Sequence, residues 1–144
     1  MLTKVILLID DEANVREIVH ACLTDLGGWD VVSVASMQEG LAFLTTTQPD
    51  AILLDIVSPQ ADGVSFLETL KQHTLLASIP VMLLTAKARW FTSQQLEQLG
   101  AKGAIAKPFN PVMLPQQLAQ TFGWDVENQP NQMSEQTCSV GLSD

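Results

Sequence analysis

Basic side chains are scarce in this chain: seven Lys and Arg stand against 16 Asp and Glu, a formal charge of −9. Phosphate contacts of nucleic acids need a basic stripe, and none is present, so direct DNA or RNA binding is not expected. Cysteine is nearly absent too. Cys22 and Cys138 share no metal-ligand spacing. Cys22 falls on an apolar helix face, where it reads as a small buried thiol, and nothing near Cys138 activates it. No apolar run approaches the roughly 20 residues of a membrane span, so no membrane insertion is expected. Met1-Leu2-Thr3-Lys4 runs straight into a strand pattern, which argues against a signal peptide and for a cytoplasmic protein. The two histidines, His20 and His73, lie in helical patterns away from the acidic residues below and read as solvated or packed side chains.

What remains is a core-forming chain of one domain's length, 144 residues with 47% apolar content. Strand and helix signals alternate five times. The first apolar run, Val5 to Ile9, is followed by a helical stripe of Val15, Ile18, Val19, Cys22, Leu23 and Leu26 that Gly27-Gly28 ends. Trp29 to Val34 reads as a second strand. Ser36 with Glu39 three residues on predicts a capping box for a helix burying Leu41 and Leu44, which Gly40 weakens. A third strand ends at Asp55, and Gly63 starts a helix carrying Val64, Leu67 and Leu70. Pro80 opens a fourth strand, Val81 to Leu84, and the next helix buries Leu96 and Leu99 before Gly100. A short fifth strand, Ala104-Ile105-Ala106, leads to Lys107-Pro108-Phe109. Asn110 and Pro111 open a last helix that Pro115 forces to begin late or kink, with Leu114, Leu118 and Phe122 as its buried stripe. Residues 1–123 are therefore expected to form the domain. Residues 124–144, rich in Asn, Gln and Ser, are expected to form a mobile polar tail too short for an output domain.

Five strand–helix pairs with right-handed crossovers predict an α/β fold: a flavodoxin-like, doubly wound (βα)5 parallel sheet of order 2-1-3-4-5 with helices on both faces. Its switch point lies between the first and third strands. Those strands end in aspartates: Asp10 and Asp11 close the first, and Asp55 closes the third. Strands buried on both faces would deliver all three carboxylates to the C-terminal edge, where such sheets place ligands. Two unit charges about 4 Å apart repel by roughly 4 kcal/mol at an effective dielectric near 20. The cluster implies a compensating cation, and oxygen ligands without paired His or Cys point to Mg²⁺. Thr85 and Lys107 reach the same edge from the fourth and fifth strands. A short hydroxyl and a mobile positive charge beside a metal suit a phosphoryl group, whose transfer depends on positioning and charge stabilisation.

The pattern resembles the receiver domain of two-component response regulators over roughly residues 4 to 123. The resemblance rests on Asp10-Asp11 after strand one, Asp55 with Pro59 and Asp62-Gly63, Thr85-Ala86, Gly100-Ala101 and Lys107-Pro108-Phe109. It implies that Asp55 accepts a phosphoryl group from a sensor histidine kinase or phosphotransfer protein. It implies that Asp11, Asp55 and the Val57 carbonyl bind Mg²⁺ directly, with Asp10 acting mainly through water. Thr85 and Lys107 would hold the phosphoryl oxygens, and the bond from Lys107 to Pro108 would be cis. Output would run through protein–protein contact at the face of helix four, strand five and helix five, to a downstream protein or a second copy in a phosphorylation-dependent homodimer. Such a domain is not an enzyme beyond its own phosphorylation and dephosphorylation. Ala104 departs from the pattern, because most members carry Tyr or Phe three residues before the lysine. A smaller conformational change or a different relay is therefore expected.

Other readings stay open at this point. Each Asp, Thr or Lys alone is ordinary turn or surface chemistry, and Pro59, Asp62 and Gly63 shape the loop after Asp55. A pseudo-receiver would keep the fold as an interaction module without phosphate. A hydrolase with an aspartyl-phosphate intermediate wants a second Asp two residues after the nucleophile, where this chain has Val57. A flavodoxin wants a hydroxyl-rich phosphate loop after strand one, which is lacking. Trp90 and Phe91 are expected on the fourth helix, whose buried positions counted back from Leu99 are near Gln95, Thr92 and Ala88. The pair there is either an exposed protein-binding patch or packing against a neighbour.

Overall fold

The structure, a computed structural model, describes residues 3–55, 62–85, 92–107 and 109–124. Five parallel strands, β1 (Val5–Ile9), β2 (Asp30–Val34), β3 (Ala51–Asp55), β4 (Val81–Thr85) and β5 (Ala101–Ala106), alternate with five helices. These are α1 (Ala13–Asp25), α2 (Met37–Leu44), α3 (Asp62–Gln72), α4 (Ser93–Leu99) and α5 (Leu114–Phe122). The strand order is β2-β1-β3-β4-β5, as the sequence predicts.

The apolar runs are continuous because the sheet is covered on both sides. Ile6 to Ile9, Ile52 to Leu54 and Val81 to Leu84 are all between 0 and 3% exposed. The two-residue period of a strand divides each run between the faces. Leu7, Ile9, Ile52, Leu54, Val81 and Leu83 pack with Leu44 of α2 and Phe66, Leu67 and Leu70 of α3. Ile6, Leu8, Leu53, Met82 and Leu84 pack with Val19 and Leu23 of α1 and Leu114 and Leu118 of α5. Full burial of one such side chain stabilises the fold by about 1.5–3 kcal/mol. Gly40 has a reason to sit in α2: a Cβ there would stand 2.6 Å from Ile9 Cδ1, so the missing side chain lets the helix approach β1.

Several local expectations change. Strand β2 starts at Asp30, one residue late, and Trp29 is instead a buried core residue, 4% exposed. Strand β5 is longer than predicted and meets β4 with a register shift opposite Val81 and Met82. Ile18 leaves the α1 stripe at 48% exposed, and Cys22 is half-buried. Burial, with Asp25 nearby, pushes the Cys22 thiol pKa up, so it stays a thiol. Ser36 Oγ accepts from the Glu39 N–H at 3.1 Å, but Glu39 Oε1 reaches the Ala35 N–H at 3.2 Å, so the predicted capping box is only half made. The complete box lies at α4, where Thr92 and Gln95 exchange both bonds at 2.9 and 3.0 Å.

That cap starts α4 at Ser93, with Thr92 exposed, so the count that put Thr92 on a buried helix face does not hold. Trp90 and Phe91 lie outside the described residues. Leu96 and Leu99 of α4 are half-buried against the core, and no α4 residue is fully buried. Pro115 delays the last helix as expected. Asn110 accepts from the Val112 N–H at 3.1 Å and opens a 3-10 turn, Pro111–Met113, and α5 follows with Pro115 in its first turn, where no intrahelical N–H is needed. Trp124 packs at 5.2 Å edge-to-face on Trp29 and at 5.0 Å on Phe122, with the Lys4 ammonium 5.3 Å from its ring centre.

Candidate functional site

Four of the five strands hand one polar residue to the C-terminal edge as the strand ends. Asp10 follows β1, Asp55 closes β3, Thr85 closes β4 and Lys107 follows β5. Asp10 is almost sealed, 1% exposed, and each of its polar groups has a partner. Its N–H donates to Val34 O at 3.2 Å, and its carbonyl accepts from Arg16 Nη1 at 2.7 Å. Its Oδ1 accepts from the Glu12 N–H at 2.9 Å, and its Oδ2 from Lys107 Nζ at 3.0 Å. These bonds fix the turn from β1 into α1 that presents Asp11.

One carboxylate oxygen from each of Asp10, Asp11 and Asp55 lies within 4.8 Å of the others. Lys107 Nζ sits beside them, 3.2 Å from Asp55 Oδ1 and 3.3 Å from Glu12 Oε1. Its backbone N–H donates to Thr85 O at 2.9 Å, which ties the ends of β4 and β5 together. Thr85 itself is fully buried, and its placement puts it on the same edge. Val57, Pro59, Ala86, Pro108 and the bond from Lys107 to Pro108 lie outside the described residues.

The titration behaviour follows from this crowding. Burial pushes the Asp55 carboxyl above the usual carboxylate range, Asp10 pushes it further, Lys107 pulls it back, and Asp11 adds to the rise. Burial works against the charged Lys107 ammonium, but its hydrogen bond to Asp10 and the Asp55 charge prevail and hold its pKa above the ordinary value. Among the described residues one ammonium thus meets Asp10, Asp55 and Glu12, with Asp11 close by, so acidic charge exceeds basic charge at this edge. The donor set is made of hard carboxylate oxygens, which fits a hard divalent cation and gives thiophilic metals nothing to hold.

Two residues of this site carry little signal in the sequence pattern. Glu12 holds Lys107 from the rim, and Arg16 locks the Asp10 carbonyl. The only hint of the first was the acidic run Asp10-Asp11-Glu12 at a helix start, and a basic residue one turn into α1 was the only hint of the second.

The model of the response regulator receiver domain matches residues 6–119. The phosphate regulon transcriptional regulatory protein PhoB of Pseudomonas aeruginosa is 35% identical over 111 residues, 77% of this chain and 48% of that protein. Response regulator Rre1 of Synechocystis is 38% identical over 106 residues, 74% of this chain and 46% of that protein. The chain thus spans about half the length of the curated relatives it matches. The chemotaxis response regulator CheY4 of Vibrio cholerae has the same fold, with a TM-score of 0.73 and 27% identity, over 83% of this chain and 99% of that one. The matched span runs from the strand that carries Asp10 to the helix after Lys107, and with it the chain belongs to the family of response regulator receiver domains.

Proposed function

We propose that this chain accepts a phosphoryl group on Asp55 from a sensor histidine kinase or phosphotransfer protein, with Mg²⁺ at the aspartate cluster, and reports that state by protein–protein contact. Receiver domains bind Mg²⁺ at an acidic pocket and are phosphorylated by histidine kinases. The observation that carries the reading for this chain is the meeting of the Asp10, Asp11 and Asp55 oxygens with the Lys107 ammonium at one sheet edge. Asp11, Asp55 and the Val57 carbonyl would hold the ion, with Asp10 anchoring the site from behind. Bound Mg²⁺ would screen the carboxylate from an incoming phosphate and offset the charge that develops there.

This chain's own residues do the rest. Asp55 presents an oxygen at the open edge of β3, with its side chain 18% exposed. Lys107 is close enough to move from Asp55 Oδ1 to a phosphoryl oxygen with little displacement of its stem. Thr85 ends β4 on the same edge, where a hydroxyl can take a second oxygen. The added charge of about −1.5 to −2 would draw Lys107 and Thr85 toward Asp55. The surface proposed to report this is the face of α4, β5 and α5. A cavity of about 560 Å³ lined by Gln94, Leu96, Gly100 and Lys102 lies between α4 and the start of β5, with no residue of α5 in its lining.

The transcriptional roles in the relatives' names belong to those proteins. Within residues 1–124, twelve acids face seven bases, which favours a protein partner over DNA for this part. Acetyl-phosphate labelling with Mg²⁺, read by intact mass, tests the reading directly. Wild type should gain one phosphoryl group and Asp55→Asn none; a persistent adduct on the variant removes Asp55 as acceptor. A wild type unlabelled, and silent to beryllofluoride in its spectra, would favour a pseudo-receiver.

A further inference from the structure

Glu12 breaks a local rule. It stands at the N-cap of α1 with extended backbone (φ −94°, ψ 114°), where Ser, Thr, Asp or Asn would accept from the free N–H groups of the first turn. Its side chain makes no such bond. Its Oε1 lies instead 3.3 Å from Lys107 Nζ, while its own N–H donates to Asp10 Oδ1 at 2.9 Å. Asp10 Oδ2 closes the ring by accepting from Lys107 at 3.0 Å. A residue that leaves its helix uncapped in order to hold the lysine of a reacting site marks a place where function overrides local preference.

We propose that Glu12 is a positioning residue that holds the Lys107 ammonium toward the β1–α1 side of the site, in competition with Asp55 and with any phosphoryl group carried there. The proposal rests on the reading of Asp55 as acceptor. The two rivals for the ammonium are matched in distance, 3.2 Å to Asp55 Oδ1 and 3.3 Å to Glu12 Oε1. They differ in setting: the Glu12 side chain is 62% exposed and that of Asp55 18%. An exposed carboxylate holds an ammonium weakly, so Glu12 grades the supply of Lys107 to the phosphoryl group without blocking it.

Two variants of the full chain separate this role from a structural one. Glu12→Gln removes the charge at nearly constant shape, and Glu12→Ser removes it while supplying the missing cap. Initial rates of acetyl-phosphate labelling at saturating Mg²⁺ should rise roughly two- to fivefold in both, the range of an exposed ion pair. Mg²⁺ affinity, read by calorimetric titration, should weaken by a similar factor because the cluster loses charge. The rate gain should shrink with added salt. It should also vanish in a Lys107→Met background, where there is no ammonium to hold. The Ser variant should moreover resist urea better than wild type. Equal labelling rates in wild type and both variants would overturn the proposal, as would a gain that survives Lys107→Met. A wild type that takes no label refutes the acceptor reading, and this proposal falls with it.

Discussion

Replacing Lys107 by Met keeps the aliphatic stem and removes the ammonium, and the structure sets how much that costs. Nζ lies 3.0 Å from Asp10 Oδ2 and 3.2 Å from Asp55 Oδ1. Each attraction is worth about 5 kcal/mol at an effective dielectric near 20, before the cost of taking the ammonium out of water. The Asp10 side chain is 0% exposed, so water cannot replace the lost partner. Removing one member of a buried pair typically costs about 3–5 kcal/mol. Here the cluster can lower that cost by taking up a proton, so a loss of about 2–4 kcal/mol is expected at pH 7.5 in EDTA. The sign with pH follows from the same logic: Asp55 already sits above the usual carboxylate range, so the deficit should narrow as the pH falls and Asp55 takes up a proton. Mg²⁺ should then restore the variant more than it stabilises wild type, because ion and ammonium neutralise the same oxygens. A ligand at about a hundred times its dissociation constant adds roughly 2.7 kcal/mol. Urea unfolding followed by circular dichroism, with EDTA and with saturating Mg²⁺, measures all of this. Equal stability in EDTA, or an Mg²⁺ gain no larger than that of wild type, would refute the electrostatic account of the cluster.

Asp55→Asn should have the opposite effect in the absence of metal. Asp55 is held above its ordinary pKa mainly by burial and by Asp10, so its charged form weakens the fold above the unfolded-state pKa, and that cost fades as pH falls through the folded value. Like charges within 4.8 Å outweigh the Lys107 attraction by about 1–2 kcal/mol, so the Asn variant should be more stable by that amount in EDTA at pH 7, and no more stable near pH 4. Denaturant midpoints across pH check this, and a variant less stable than wild type at neutral pH would contradict it. Trp124→Ala should lower stability by about 1–3 kcal/mol, since it removes two ring contacts, with Trp29 at 5.2 Å and Phe122 at 5.0 Å. Truncation after Gly123 should do the same, and unchanged unfolding curves in both would show that the rings do not hold the end of α5.

The sheet was legible because its signal is redundant. Three continuous apolar runs, each closed by a polar residue, specify buried parallel strands, and strand ends fix the edge on which Asp10, Asp55, Thr85 and Lys107 meet. The failures are places where the neighbours decide. Ala101, Lys102 and Gly103 carry no strand propensity and are extended because β4 offers a free edge to pair with. Ile18 fits the helical period of α1, but a helix on a sheet buries a narrower face than a six-residue stripe, and Ile18 falls at its margin. Trp29 reads as strand because aromatic residues favour strands, but its ring is needed in the corner with Trp124, one residue before the ladder begins. Glu12 and Arg16 escaped for a different reason. Their roles depend on side-chain direction in the first turn of a helix, and no periodicity encodes that.

Ala104 bears on how a change at the cluster can leave it. The resemblance implies an aromatic ring at this position. The alanine pairs with Leu83 and packs against the core on the α3 side, with no bulk to swing inward. A second path is built into the backbone. Lys107 N–H donates to Thr85 O at 2.9 Å, and Thr85 pairs with Ala106, so the two residues proposed to hold the phosphoryl group share one ladder. A pull on either side chain strains the joined ends of β4 and β5 together. One helix lying against β5 is α4, seven residues long, which among the described residues is held by two half-buried leucines and the contact of Lys71 Nζ with Gln98 O. An element so lightly buried belongs to the low-stability end of a fold and can shift at small cost. For the function proposed above, the ladder of β4 and β5 beside a lightly buried α4 would be the path for such a change. Beryllofluoride with Mg²⁺ should therefore move the backbone resonances of Thr85, Ala106 and α4 together, and shifts confined to the aspartate loops would mean that the ladder carries nothing.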